Sequence, residues 1–156
     1  MDKKGLESLL NRDLASKGFS KKYSSWYRRE TGALQVVDLQ KSNFGLKFYL
    51  NLCCVPDGMI IDGLPTPKEH KCPIRIRLDS AFPQHQRKIQ TVLDLEGTTL
   101  TDRERDSSMS EIVSTLVLPF LENMKDATSI KRSIETGILD DGMVYLSAKK
   151  FLGIET

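Results

Sequence analysis

Cys53, Cys54, His70 and Cys72 are the residues of this chain best suited by type to metal or nucleophilic chemistry. A structural zinc site pairs its thiolates and imidazoles about two to four residues apart. Cys53 and Cys54 are adjacent, and neighbours in a strand point to opposite faces. His70 and Cys72 alone cannot enclose an ion, so no metal site is expected. For nucleophilic catalysis the candidates are Cys72, or a serine, beside His70 or His85. Neither histidine stands in a nucleophile-elbow or protease context. His85, inside Gln84-His85-Gln86-Arg87, reads as solvated. Asp140 and Asp141 read as helix caps rather than as an acid–base pair. No glycine-rich phosphate loop stands in the chain. No catalytic residue and no cofactor is therefore expected.

A second set of residues suits binding. Arg75 and Arg77 lie two apart in a short alternating run, so both project from one face of a strand, with β-carbons about 7 Å apart. Guanidinium forks fit carboxylate and phosphate. In the neighbouring strands Val37 and Leu39 point one way, and Asp38 and Gln40 the other. Leu46, Phe48, Leu50 and Leu52 point to the core, while Lys47, Tyr49, Asn51 and Cys53 point away. One sheet face is thus apolar. The other gathers Asp38, Gln40, Lys47, Tyr49, Asn51, Arg75 and Arg77. Gln40, Tyr49, Asn51, Arg75 and Arg77 are the candidate binding residues, because tyrosine and arginine are favoured anchors. The plain alternative is a solvated antiparallel face, with Asp38 or Asp79 answering the arginines internally. Tyr23, Trp26 and Tyr27 also stand among Lys21, Lys22, Arg28 and Arg29, a pattern that can stack on single-stranded nucleic acid. Alternation sends Trp26 and Tyr27 to opposite faces, so one of them belongs to the core.

These residues need elements to hold them. Leu6, Leu9, Leu10 and Leu14 mark one face of a helix over 3–17. Gly18 and Phe19 form its Schellman stop. Segments 23–29, 34–41 and 46–55 are rich in aromatic and β-branched residues, with Thr31-Gly32 and Ser42-Asn43 as turns between them. Spacings this short require an antiparallel meander. A fourth strand covers 74–78, after a long loop over 56–73 that holds Gly58, Gly63, Pro65 and Pro67. A short helix is expected within 82–96 and a polar loop over 97–108. Ser108 and Glu111 suggest a capping box for a helix carrying Ile112, Val113, Leu116, Val117, Phe120, Leu121 and Met124, kinked at Pro119. Asp126 can cap a second helix that ends at Gly137. Asp140 or Asp141 can cap a third that carries Val144, Tyr145, Ala148, Phe151 and Leu152 and ends at Gly153. Strands and helices are segregated along the chain, which indicates α+β architecture. The expectation is one domain over 1–156: an N-terminal helix, a four-stranded antiparallel meander, and C-terminal helices packed on one sheet face.

Composition narrows the class. The chain has 156 residues, 39% hydrophobic and 28% charged, with a net charge of +2. That charge is too balanced for a nucleic-acid binder. No apolar run approaches the ~20 residues of a membrane span, and no leader or lipidation signal is expected. Three cysteines, two of them adjacent, make a poor disulfide framework, so free thiols and a reducing cytoplasm are expected.

The opening Leu9-Leu10 to Lys17-Gly18-Phe19, then Trp26-Tyr27-Arg28, then Val36 to Ser42 and Phe48-Tyr49-Leu50-Asn51-Leu52, resembles a bacterial family known as domain of unknown function 4304. Leu118-Pro119-Phe120-Leu121-Glu122 and residues 148–154 are similar to its C-terminal part. The 56–73 stretch has no counterpart. The resemblance implies a bacterial cytoplasmic α+β protein and carries no activity or catalytic residues. By analogy, small families of this kind include immunity-type inhibitors that neutralise toxins. Two expectations follow. One is a protein-binding module using its polar sheet face or long loop. The other is a small enzyme or binding protein for an anionic metabolite clamped by Arg75 and Arg77.

Overall fold

Helix α1 (Lys3–Ala15) buries Leu6, Leu10 and Leu14 completely, one residue per turn along a single stripe. Asp2 caps it by accepting the Gly5 N–H at 2.9 Å. The helix stops two residues earlier than expected, by the anticipated device. Gly18 takes φ +88°, the N–H groups of Phe19 and Gly18 bond back to Leu14 and Ala15, and Phe19 folds into the core. The computed structural model describes residues 1–63, 66–97 and 99–156. Leu64 and Pro65 of the expected 56–73 loop, and Thr98 of the expected 97–108 loop, lie outside the described residues.

The sheet has six antiparallel strands in chain order, not four. They are β1 (Ser20–Lys22), β2 (Ser25–Arg29), β3 (Ala33–Lys41), β4 (Phe48–Pro56), β5 (Ile74–Arg77) and β6 (Met143–Val144). The extra strands are the two short edges. Tyr23 does not open a strand. It sits at φ +59° in a two-residue turn flanked by the pair Lys22↔Ser25, so the expected 23–29 segment starts as a strand only at Ser25. At the other edge, residues expected in a helix capped by Asp140 or Asp141 form β6 instead. Gly142 makes this possible: any β-carbon there would collide with the Arg75 carbonyl. The pair Arg75↔Met143 needs that close approach, and helical periodicity in the sequence gives no sign of it.

Helices α2 (Leu78–Ala81), α3 (Gln86–Leu93), α4 (Asp102–Ile112), α5 (Leu118–Leu121), α6 (Ala127–Glu135) and α7 (Leu146–Phe151) follow. Helix α4 corrects the expected 97–108 loop. Its capping box is Thr101 with Glu104, about two turns ahead of Ser108 and Glu111, and Ser108 lies inside the helix. The disturbance expected around Pro119 is a π-helical turn over Val113–Val117, a wider turn placed just ahead of the residue that lacks an N–H. Asp126 caps α6 through Ser129. Gly137, at φ +87°, closes that helix with a second Schellman pair.

The helices pack on the face that carries Trp26, Val37, Leu39, Leu50, Leu52, Ile74 and Ile76. Each such buried side chain contributes about 1.5–3 kcal/mol. The Trp26 indole and the Gln35 amide lie inside this layer with their hydrogen bonds made. Trp26 Nε1 donates to Asn11 Oδ1 at 3.1 Å. Gln35, with no exposed surface, donates from Nε2 to the carbonyls of Leu121 (2.7 Å) and Met124 (3.1 Å) and accepts from Arg28 Nη2 at 2.8 Å.

The opposite face is not wholly polar. A second apolar cluster of Leu34, Val36, Cys53, Val55 and Cys72, with Tyr27, Met59 and Ile61 against it, occupies half of it. The described residues of the 56–73 segment lie over this half, with Met59 and Ile61 against the cluster. A 3-10 turn (Glu69–Lys71) brings the segment back to β5. Tyr27 Oη donates to the Pro67 carbonyl at 3.1 Å and Tyr145 Oη to the His70 carbonyl at 3.4 Å.

Candidate functional site

The strand register decides which side chains meet. Across the sheet Ser25 pairs with Asp38, Asp38 with Asn51, and Asn51 with Arg77. Gln40 pairs with Tyr49, and Cys53 with Arg75. The register therefore brings all five candidate residues, Gln40, Tyr49, Asn51, Arg75 and Arg77, to one face, at the half left open by the 56–73 segment.

Their environments differ. Arg75 is largely spent. Its Nη1 lies 3.6 Å from Glu69 Oε1, and its Nη2 lies 2.8 Å from Met143 Sδ and 3.5 Å from Tyr145 Oη. Arg77 is exposed, with its guanidinium carbon 3.8 Å from the centroid of the Tyr49 ring. A cation over a ring face is held by the ring quadrupole and keeps its N–H groups available. The two arginines are not answered as expected. Asp38 is engaged by Ser25 Oγ and Asn51 Nδ2, and Asp79 accepts from Gln90 Nε2 at 3.2 Å. The anion that meets Arg75 is Glu69, on the segment the sequence leaves unstructured.

Asn51 is only 5% exposed, against the expectation of a solvated position. What buries it is the neighbouring side chains of its own face, since Nδ2 also donates to Gln40 Oε1 at 2.9 Å. Two concavities flank the Arg77–Tyr49 stack. One, of about 480 Å³, is lined by Gln40, Asn51, Glu69, Arg75, Arg77 and Ser80, among others. The other, of about 390 Å³, is lined by Lys47, Tyr49, Arg87, Gln90 and Asp94, among others. Lys47, Arg77 and Arg87 form no ion pair among the described residues. Asp94, the acid that lines the second concavity with Lys47 and Arg87, accepts the N–H groups of Glu96 and Gly97. Sequence reasoning missed Arg87. It lies on a helix, and only the β-bridge of Lys47 to Asp94 shows that α3 ends beside β4.

The reactive candidates are not brought together. Cys72 is buried, with Sγ 3.7 Å from the Lys68 carbonyl, whereas His70 is exposed. Burial, the adjacent Cys72 thiol and the Glu69 carboxylate push the Cys53 thiol up, and burial does the same to Cys54. Both stay protonated and poorly nucleophilic. All three cysteines are free. Glu69 is itself raised, first by burial and then by Asp38, with Arg75 offsetting part of this. His85 stands 6.3 Å from the Phe82 ring, away from any cysteine. Asp140 and Asp141 precede β6 and cap no helix. Among the described residues no group of three His, Cys, Asp or Glu could hold a metal ion. No helix among them is long and apolar enough to cross a membrane. Tyr23, Trp26 and Tyr27 are dispersed into a turn, the core and the second cluster, so they form no stacking platform.

No curated protein and no solved structure matches the chain. Residues 10–123, well over half of it, match the model of the family described as Domain of unknown function (DUF4304), and the chain belongs to that family.

Proposed function

We propose that residues 1–156 act as one protein-binding module, working in a reducing compartment such as the cytoplasm, whose open sheet face engages an acidic segment of a partner. One observation carries this reading. Lys47, Arg77 and Arg87 gather about Tyr49, beside the exposed amide of Gln40, in no ion pair among the described residues, while Asp94, which shares the Lys47–Arg87 concavity, accepts backbone N–H groups instead. Desolvated cation pairs at an interface favour an anionic partner and raise the on-rate. Neutralisation of a partner, as by an immunity-type inhibitor, is one form such docking would take. The three reduced cysteines support the compartment.

The concavity of about 480 Å³ supports a second reading, in which a small anionic metabolite binds. That reading relied on both arginines as a clamp. The ion pair of Arg75 with Glu69 leaves only one of them available, so the first reading is preferred.

The reversal R77E/R87E tests the choice. In the native cell, the complex recovered with tagged wild-type protein is expected to weaken at least tenfold in the variant, and to weaken as salt is raised through physiological strength. A variant complex as tight and as salt-insensitive as that of the parent would sink the docking reading.

A further inference from the structure

We infer that the open face selects carboxylates, and that Asp38 sets this selection by fixing the polarity of the Asn51 and Gln40 amides; the inference rests on the docking reading above. An amide side chain has a donor end and an acceptor end of nearly equal shape. Which end faces a ligand decides whether an acid, an amide or an ammonium is preferred, so something must hold the orientation.

Asp38 supplies that constraint. As a carboxylate it only accepts. It accepts from the Ser25 hydroxyl on one oxygen and from Asn51 Nδ2, at 3.4 Å, on the other. The Asn51 amide must therefore turn its NH2 toward β3. Its near-complete burial prevents a free swing. The second hydrogen of that NH2 goes to Gln40 Oε1 at 2.9 Å. Gln40 consequently has its acceptor engaged and its own NH2 directed away from Asn51. Gln40 is exposed and stands opposite Tyr49, on which Arg77 is stacked. The chain Ser25–Asp38–Asn51–Gln40 thus ends in a donor beside a cation. A donor and a guanidinium side by side match the two oxygens of a carboxylate, whereas a neutral amide would set its own NH2 against one of them. Asp38 and Asn51 are positioning residues here, since neither need touch the partner.

The probe is a pair of synthetic peptides, alternating Glu-Ser and alternating Gln-Ser, titrated at low salt and followed by the amide and side-chain resonances of the protein. Wild-type protein is expected to bind the Glu peptide at least tenfold more tightly, with the Gln40 NH2 and Arg77 Nε–H signals moving. Gln40→Glu keeps the acceptor for Asn51 and replaces the presented donor by a carboxylate oxygen. It should abolish the preference. Asp38→Asn frees the relay to reverse and should cut the preference about threefold while leaving the Gln peptide unaffected. Should Asp38→Asn fail to fold, Gln40→Glu, at an exposed position, decides alone. If these variants keep the wild-type preference while R77E/R87E loses binding, the relay is idle and docking stands. If the Glu peptide moves no resonance on this face, both are overturned.

Discussion

The two faces of the sheet use polar side chains in opposite ways. Under the helices, Gln35 has no surface and no unused hydrogen-bonding group on its amide nitrogen, because two helix-terminal carbonyls share it. On the open face, where Gln40 stands five residues along β3 from Gln35, Asn51 and Gln40 form a chain that leaves a donor over. A polar residue in a strand is thus not informative by itself. Capacity left unspent after the fold is satisfied is what distinguishes a surface prepared for a ligand from a surface prepared for a helix.

The sharpest way to break this comparison is to truncate one glutamine from each face. Gln35→Ala strands the carbonyls of Leu121 and Met124 and removes the acceptor of Arg28. Each buried group left unpaired costs about 1–3 kcal/mol, so a loss of about 2–4 kcal/mol is expected in urea unfolding. Gln40→Ala removes an exposed end of a chain and should cost under about 0.5 kcal/mol. Comparable losses would show that the open face is as structural as the covered one.

Periodicity made much of this legible and also set its limits. The α1 stripe, the strand cores and the three glycine stops at Gly18, Gly137 and Gly153 follow from local spacing, because the forces that place them act within a few residues. The five open-face residues were found for the same reason: alternation assigns faces without knowing the neighbours. The second cluster was missed although its signal was present. Leu34, Val36, Cys53 and Val55 make β3 and β4 apolar on both faces near one end, which requires a cover, and the 56–73 segment with Met59 and Ile61 supplies it. Glu69 and Arg87 could not be found in this way. Their meetings with Arg75 and with Lys47 and Tyr49 join elements distant in the chain, and no local pattern encodes them. β6 was hidden by a helical spacing that the close approach of Gly142 overrides.

Adjacent cysteines offer a second comparison, of moderate size. Cys53 on β4 and Cys72 on the 56–73 segment pack together in the second cluster, and Cys54 lies under the helices. This cluster is separate from the helix-covered core, so local opening of the segment should expose Cys53 and Cys72 without unfolding the core. Alkylation followed by mass spectrometry is expected to modify these two at least tenfold faster than Cys54. Tyr27→Phe removes the bond to the Pro67 carbonyl, worth about 1 kcal/mol, and should speed both about fivefold with no change at Cys54. Equal rates at all three would mean that the cover opens only with the whole fold.

The smallest effect expected is a pH dependence carried by Glu69. Burial and Asp38 raise its folded pKa from the ordinary glutamate value, and Arg75 only partly offsets them. The neutral form is therefore favoured in the folded state. Between the ordinary value and the raised one, the folded protein holds a proton that the unfolded chain has released. The stability this contributes is fully present below the unfolded value and is lost as pH rises through the folded one. Other acids slope the opposite way, among them Asp126, lowered by the Ser129 N–H at the start of α6. The measurement must therefore be the difference between wild type and Glu69→Gln, not a single curve. Glutamine keeps the shape and cannot ionise. It gives up the Arg75 ion pair but also escapes burial of a charge beside Asp38, so the two proteins should differ by no more than about 1 kcal/mol near neutrality. Moving from neutral pH toward the carboxylate range, wild type should gain relative to the variant in urea midpoint. A difference that stays flat across that range would mean that the 56–73 segment does not hold Glu69 against the sheet in solution, and the cover over Cys53 would lose one of its polar anchors.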